Sequence, residues 1–483
     1  MLTLKQFLIG LHYKNSSMIK FNKYLEAGRA LFKAPILVIL LITLTVLLLN
    51  IPILVTLWRH SFDDGTYSHA YLIPFISLYL FHELQSSGRL IFRNKLSVPA
   101  TILLVSSCMA LFITSNAQIS LGYWCSLLAV LITSINMLFK FNKHIAFPSV
   151  YLVFILPIWG SLTTLLQNIS VKAVTFIMSF TGIPTFVEGN YVTIPAGVFE
   201  IAGGCSGLRY LIVSLAISSL FCFLYIKTPR KVAIFFSLAI LGALITNWIR
   251  ITALILIGEY TNMESSLMED HNTFGWYLFI PFMITLFWWG NKLADSNNPT
   301  KNIISPNGYK PNLAISFFLL AALILSSTNL RPIYFYFNKV TPNNKTSVIS
   351  PVIHFYSDIE HIPLKNNRNS YQIFRFAAKD LDEKPSYYAN NILPIRYNVI
   401  KSDVRKDWNL TYVRSYQDKA VLLYRYEIDN KTYTNLREFK LARLKKALMN
   451  INDTKLHWVY LTCEINCESA INDFLMSIEI NKS

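Results

Sequence analysis

The stretch EIAGGCSGLRYLIVSLAISSLFCFLY, residues 200–225, joins a polar, glycine-rich segment to an apolar run. From Tyr210 the chain carries no charged residue until Lys227. A helix of about 20 apolar residues crosses the roughly 30 Å hydrocarbon core of a bilayer. The stretch therefore predicts a membrane-spanning helix over 205–226, with a carboxylate, a thiol, a guanidinium and three glycines crowded at its entrance.

The composition extends this prediction to most of the chain. Of its 483 residues, 53% are hydrophobic and only 15% are charged, which is too apolar for an ordinary soluble protein. The segment 168–186 is apolar but interrupted by Lys172, Gly182 and Pro184, so it is predicted as a half-span or a surface helix. About nine transmembrane helices are predicted, at 35–57, 68–84, 98–114, 119–139, 145–166, 205–226, 232–257, 275–290 and 311–328.

Positive charge alternates from loop to loop. Lys and Arg cluster in the N-terminus and in every second loop, whereas the loops between them carry Asp63, Asp64, Glu188, Glu200, Glu259, Glu264, Glu269 and Asp270. Lys and Arg favour the cytoplasmic side. The pattern predicts a multi-pass protein of a bacterial inner membrane with its acidic loops in the periplasm. We therefore attribute the net charge of +17 to the orientation of the chain in the membrane. No nucleic-acid partner is predicted.

The two ends of the chain differ from its middle. Residues 1–33 are polar and basic, and the following apolar run is too long for the core of a cleavable signal peptide. Residues 34–330 form the predicted membrane domain. From 331 to 483 charges become frequent, and two strands around Asp429–Lys431, an amphipathic helix near 435–451, a strand and a closing helix predict a small extracytoplasmic α+β domain. The fold class is thus an all-α polytopic membrane protein with this domain attached.

The six cysteines show no C-x-x-C zinc pattern, so no metal site and no cofactor are predicted. Cys463 and Cys467 are able to pair in an oxidising periplasm, although their spacing is not diagnostic. Cys205 has polar neighbours, and a thiol at a helix N-terminus is favoured as thiolate. The alternative is a small residue packed at a helix start.

Arg250 and His271 lie at the outer ends of the next predicted spans. Ionisable groups in membrane segments are costly and usually mark function. Asn247 shares a helical face with Arg250, which indicates a cavity lining rather than lipid contact. The alternatives are an arginine that reaches the headgroups and a structural histidine. Together with Cys205, these residues are the minimal set for cysteine acyl transfer.

At this point the residues resemble a known family. EIAGGCSGLRYL (200–211), NWIRI (247–251) and HNTFGW (271–276) are similar to the three motifs of the exosortases, multi-span bacterial membrane enzymes related to the archaeosortases. DDGTYSHAYLIPFISLYL (63–80) and FPSVYLVFILPIW (147–159) match the family in the same order. The likeness covers about residues 35–290. The C-terminal extension fits by position and size the one that many exosortases carry, which resembles a separate exopolysaccharide-associated protein.

The resemblance implies a membrane-embedded cysteine protease or transpeptidase. Its substrates would be PEP-CTERM proteins, which end in a Pro-Glu-Pro signal, one transmembrane helix and a basic tail. Cleavage would pass them to a glycan or lipid acceptor in an exopolysaccharide or biofilm system. Residue by residue, the motifs make Cys205 the nucleophile and Arg250 and His271 its catalytic partners. Secondary or substrate-binding candidates are Arg209, Glu200, Gly204, Gly207 and Asn247.

One position departs from the family pattern, because Gly203 stands where the first motif often has an acidic residue. Glu200 is then the nearer acid. The competing hypothesis is a non-enzymatic membrane component of exopolysaccharide export or polymerisation, in which Arg250 and His271 would bind an anionic lipid-linked glycan. A transporter is a third alternative, weakened because the polar residues gather at one membrane face rather than at the midplane.

Overall fold

A computed structural model describes residues 35–62, 66–269, 271–295, 312–327, 349–364, 366–394, 397–415, 418–449, 451–463 and 467–480. The helices are α1 Pro35–Leu48, α2 Ile51–Phe62, α3 Ile73–Ser86, α4 Val98–Asn116, α5 Ser120–Leu138, α6 Lys143–Tyr151, α7 Thr163–Met178, α8 Leu208–Tyr225, α9 Pro229–Tyr260, α10 Ser266–Glu269, α11 His271–Leu293, α12 Leu313–Leu325, α13 Leu436–Ala447 and α14 Cys467–Ile480. The strands are β1 Phe186–Glu188, β2 Tyr191–Ile194, β3 Gly197–Glu200, β4 Asp358–Ile362, β5 Ser370–Phe376, β6 Asn398–Arg405, β7 Trp408–Arg414, β8 Lys419–Ile428, β9 Lys431–Tyr433 and β10 Thr454–Thr462.

The helices confirm a multi-pass membrane protein but not nine spans. In the described residues, five helices are long and apolar enough to cross a membrane, namely α4, α5, α8, α9 and α11. Counting the bent pairs α1–α2 and α6–α7 as one span each raises the number to seven. The two remaining predicted spans correspond to shorter helices, since α3 has 14 residues and α12 has 13.

Two predicted spans are broken by proline. α1 and α2 meet at an angle of 86°. Pro52 lies in the first turn of α2, where proline is tolerated, but it lacks the N–H that would continue α1 by bonding the Leu48 carbonyl. The second break precedes Pro157, which forces Leu156 into an extended conformation. The chain bends by 57° there and continues through α7. The broken span observed here is therefore longer than the predicted span 145–166, because it includes part of the segment 168–186.

The described chain forms two compact units. One contains α3, α6–α11 and the sheet β1–β3. In it, α8 is packed on both sides, since Leu208, Leu211 and Ile212 belong to one apolar cluster and Tyr210 and Val213 to another. The strands β1, β2 and β3 form an antiparallel meander immediately before α8. This meander was not predicted, because its strands have only three or four residues.

The other unit contains α4, α5, α12 and the C-terminal α+β region. Its antiparallel sheet has the order β4-β5-β10-β8-β7-β6, with β9 paired to β8. The predicted hairpin is confirmed, and Asp429 and Asn430 form its turn with φ of 50° and 57°. The predicted helix near 435–451, the following strand and the closing helix are also present, as α13, β10 and α14. A disulfide joins Cys463 to Cys467.

Within this second unit, the loop between α4 and α5 carries a buried polar contact to the C-terminal region. The Gln118 amide nitrogen donates to the carbonyl oxygens of Asp380, at 2.5 Å, and Glu383, at 3.1 Å. Its amide oxygen accepts from Arg443. Lys384 Nζ donates to the Ser120 hydroxyl over 2.7 Å, and burial lowers the pKa of Lys384 to about 8. The α+β region is therefore held to the α4–α5 loop.

Candidate functional site

Cys205 lies on a tight bend between β3 and α8. The 3-10 turn Gly203–Cys205 is closed by the Cys205 N–H, which donates to the Ala202 carbonyl at 2.9 Å. The helix begins only at Leu208, so the predicted start at 205 is three residues too early. Cys205 is a free, half-buried cysteine that precedes the first helical turn instead of forming it.

Gly207 separates the cysteine turn from α8. Its φ of +85° is left-handed, a conformation that costs other residues roughly 1–2 kcal/mol. A Cβ at this position would also lie 2.9 Å from the Asn247 side chain. Two independent features therefore require glycine at this position, namely its left-handed backbone conformation and the close approach of α9.

Asn247 connects α9 to the cysteine turn. Its Nδ2 donates to the Cys205 carbonyl oxygen at 2.9 Å and contacts the Ser170 hydroxyl at 3.4 Å. On the other side of the turn, Gln167 Nε2 donates to the Ile201 carbonyl at 2.6 Å. Asn247 is fully buried, so its side chain does not face lipid, as the helical face it shares with Arg250 predicts. These contacts show that it fixes the backbone of the nucleophile candidate.

Arg250 follows one helical turn after Asn247 and does not reach out to solvent. It is only 3% exposed, so the alternative of an arginine extended to the headgroups is wrong. One terminal nitrogen donates to the Tyr210 hydroxyl at 3.0 Å. The Nε and the other terminal nitrogen are buried and have no hydrogen-bond partner among the described residues. A buried donor without a partner raises the free energy of the folded protein. The Arg250 guanidinium is therefore able to bind a further hydrogen-bond acceptor.

The first turns of α11 press against Tyr210 and Arg250. A Cβ on Gly275 would lie 1.7 Å from the Tyr210 hydroxyl oxygen and 2.9 Å from Arg250 Cδ. The Tyr210 ring also stacks on Phe279, with a centroid distance of 4.9 Å. His271 is the first residue of α11, four positions before Gly275, and its side chain lies outside the described residues.

The remaining predicted residues occupy the entrance of the site. Glu200 is exposed at the end of β3 and makes no hydrogen bond to the cysteine turn. Arg209 is half-buried in the first turn of α8. Gly204 is exposed, and a Cβ there would meet nothing within 4 Å. The turn is thus open to solvent beside Gly204 and closed beside Gly207.

Sequence reasoning missed four residues that organise the site, namely Gln167, Ser170, Tyr210 and Gly275. Tyr210 and Gly275 lie inside the quoted motifs, and a glycine in an apolar helix is a signal of close packing. Gln167 and Ser170 lie on α7, more than 30 positions before Cys205, and no local pattern connects them to it.

Residues 58–288 match the family model described as transmembrane exosortase (Exosortase_EpsH). The match contains the cysteine turn, Asn247, Arg250 and His271. No curated protein and no solved structure matches the chain.

Proposed function

We propose that this chain, whose residues 58–288 belong to the transmembrane exosortase family, is a membrane-embedded cysteine transpeptidase. One observation carries the proposal. Arg250, two of whose buried nitrogens have no hydrogen-bond partner among the described residues, lies one helical turn from Asn247, which binds the Cys205 carbonyl. The same stretch of α9 therefore carries a buried cation and the side chain that binds the backbone of the nucleophile candidate.

The chemistry assigned to Cys205 is acyl transfer. Its thiolate attacks a backbone carbonyl carbon of the substrate, a C–S bond forms, and the C–N bond then breaks. The negative charge on the tetrahedral oxygen is held by Arg250, because a buried, preorganised cation stabilises such an oxyanion strongly. The acceptor's nucleophile then attacks the thioester carbonyl carbon and gives its proton to the neutral His271, and the C–S bond breaks to release the Cys205 thiolate.

His271 is assigned the transfer of a proton to the departing amine, on the strength of its motif and its place at the start of α11. Gly204 and Gly207 shape the turn that a substrate backbone approaches. Arg209 remains a secondary candidate. Glu200 is proposed as a substrate contact rather than a catalytic acid, because it is exposed on β3.

The proposed substrates are exported PEP-CTERM proteins with a C-terminal transmembrane helix, and the acceptor is a glycan or lipid in an exopolysaccharide system. The proposed location is a bacterial inner membrane, with the cysteine turn and the C-terminal region on the periplasmic side. The acidic loops support this orientation. The Cys463–Cys467 disulfide supports an oxidising compartment for the C-terminal region.

A secreted reporter that ends in a Pro-Glu-Pro signal, one transmembrane helix and a basic tail tests the proposal when it is co-expressed with the full chain. Mass spectrometry of the reporter's new C-terminus identifies the cleavage site and any attached group. Cys205→Ala and Arg250→Ala are expected to leave the reporter unprocessed. Cys222→Ala, a buried cysteine in α8, is the matched control and is expected to process normally.

The same experiment separates the enzyme from a non-enzymatic export component. Normal reporter processing by Cys205→Ala would overturn the cysteine mechanism. Loss of polysaccharide export together with intact processing would favour the export component instead. A new C-terminus that carries no added group would show hydrolysis rather than transfer.

A further inference from the structure

The free edge of β3 is a surface that leads directly to Cys205. The sheet order β1-β2-β3 places β3 at an edge, and its outer side has no strand partner among the described residues. β3 ends at Glu200, five positions before Cys205. Five residues span at most about 17 Å when fully extended, so a short peptide segment bridges that distance.

The backbone groups that face this edge follow from the ladder. The Ile201 N–H donates to the Asn190 carbonyl at 2.9 Å, and Glu200 is opposite Tyr191 in the next pair. Hydrogen-bonded and non-hydrogen-bonded pairs alternate in an antiparallel ladder. Val198 and Glu200 therefore turn their N–H and C=O groups away from β2, toward the unpaired edge.

The same edge is accessible from outside. Val198 is 57% exposed, and Glu200, Gly203 and Gly204 are exposed as well. The opposite face of β3 is covered, since Phe199 packs against Gly258 in α9. An exposed track thus runs from Val198 past the two glycines to the half-buried Cys205.

We propose that the outer edge of β3 binds the extended segment of the substrate protein as an added antiparallel or parallel strand and delivers its scissile bond to Cys205. The inference rests on the proposed function and names how that site holds its substrate. An added strand, called the guest strand below, forms hydrogen bonds with the unpaired main-chain groups of a sheet edge. Alternate side chains of the guest strand contact the protein. Glu200 then contacts the guest segment just before the reacting bond.

The chemistry of the edge favours a peptide over lipid as its occupant. Val198, Tyr191 and Phe186 expose apolar surface on the same sheet face, which by itself suits a bilayer. Acyl chains, however, offer no hydrogen bonds to the main chain of Val198 and Glu200. A guest strand satisfies these groups and is long enough to extend past Glu200 to the thiol.

Disulfide trapping tests the proposal in the full chain, with Cys205→Ala and Cys125→Ser removing the competing thiols. Val198→Cys is combined with single cysteines placed along the reporter segment that precedes its transmembrane helix. Cross-links are expected at the reporter position opposite Val198 and more weakly two residues to either side, but not at the positions between, because side chains of the bound segment alternate between faces. No cross-link, or equal cross-linking at all positions, would overturn the strand geometry.

Proline supplies a second, independent measurement in the chain with Cys205 intact. Val198→Pro removes the outward N–H at an edge position where proline is tolerated, and a reporter processing rate lower by about tenfold is expected from the lost hydrogen bond. Val198→Ala retains the N–H and controls for the loss of the valine side chain, so Val198→Pro is expected to process more slowly than Val198→Ala. Equal rates for both variants would contradict main-chain pairing.

The outcomes distinguish this inference from the proposed function. If Cys205→Ala blocks processing but no alternating cross-link forms, only the strand docking fails. If Cys205→Ala processes normally, the cysteine mechanism fails whatever the cross-links show. Quenching of Val198→Trp fluorescence by brominated lipids in the presence of reporter would assign the edge to the bilayer and overturn the proposal.

Discussion

The Asn247 side chain donates a 2.9 Å hydrogen bond to the backbone carbonyl of Cys205. The two residues are 42 positions apart, and the bond fixes the turn that presents the thiol. Arg250, one helical turn along α9, binds Tyr210 of α8 instead. A single helix therefore holds both the cysteine turn and the buried guanidinium.

Asn247→Ala removes the donor to Cys205 while leaving the thiol in place. We expect reporter processing to fall by about 10- to 100-fold, because a small displacement of a reacting group costs that much. Thr246→Ala is the matched control, since within the described part of the chain the Thr246 hydroxyl donates only to the Gly242 carbonyl of its own helix. Unchanged processing by Asn247→Ala would show that the cysteine turn keeps its conformation without the hydrogen bond from Asn247.

Gly207→Ala is expected to destabilise the protein, whereas Gly204→Ala is not. The left-handed φ of Gly207 costs alanine about 1–2 kcal/mol, and the new Cβ would meet Asn247 at 2.9 Å. A Cβ on Gly204 meets no atom within 4 Å. Thermal unfolding in detergent measures both, and equal melting temperatures would contradict the distinction.

Gly275→Ala is expected to displace Tyr210 and Arg250, because its Cβ would overlap the Tyr210 hydroxyl. Overpacking of this kind typically costs about 1–3 kcal/mol, so both the melting temperature and reporter processing should fall. Gly160→Ala is the control, since the nearest atom to its Cβ is 3.7 Å away. A variant that melts and processes like the parent would refute the close approach of α11.

The C-terminal sheet contains a pH-sensitive carboxylate. Hydrogen bonds from His457 and Lys455 lower the pKa of Glu427 from 4.5 to about 2. A carboxyl group with a lowered folded-state pKa stabilises the fold above about pH 4.5 and loses this contribution as the pH falls toward 2. Glu427→Gln should lower the melting temperature at pH 7. The difference in melting temperature between this variant and the parent should disappear as the pH falls from about 4.5 to about 2.

The control for this pH profile is Glu360→Gln, whose side chain is 45% exposed in its pair with Arg375. Exposed pairs contribute little, so its profile should follow that of the parent. Fluorescence from Trp408 and Trp458, both buried in this sheet, reports the unfolding. A constant gap between Glu427→Gln and the parent down to pH 2 would contradict the assignment.

Gln118→Ala should loosen the C-terminal region from the α4–α5 loop. The substitution leaves two carbonyls without the Gln118 donor and removes an acceptor from Arg443, at a cost of about 1–3 kcal/mol. Hydrogen exchange should become faster in α13 and around residues 380–384. Ser106→Ala, an exposed change in α4, should leave exchange there unaltered, and equal exchange in both variants would disprove the attachment.

The amino-acid sequence determined the membrane-spanning character, the C-terminal α+β region and the likeness to the exosortase family, whose model matches residues 58–288. Apolar runs such as 210–226 and turn residues such as Asp429 and Asn430 are local signals, because they depend on each segment's own solvation and backbone preferences. The motifs likewise indicated Cys205, Asn247 and Arg250 as site candidates without a structure. The number of spans was predicted less well, because Pro52 and Pro157 break apolar segments that hydropathy alone predicts as continuous helices.

Only the tertiary structure decided how the site is built. Asn247 as the donor to Cys205, Tyr210 as the partner of Arg250 and the β3 edge all depend on contacts between distant segments. Hydrogen bonds and close approaches of this kind arise from the packing of α7, α8, α9 and α11, and no periodicity in one segment encodes its partner in another. For that physical reason the sequence supplied the reactive groups, and the fold supplied their positions.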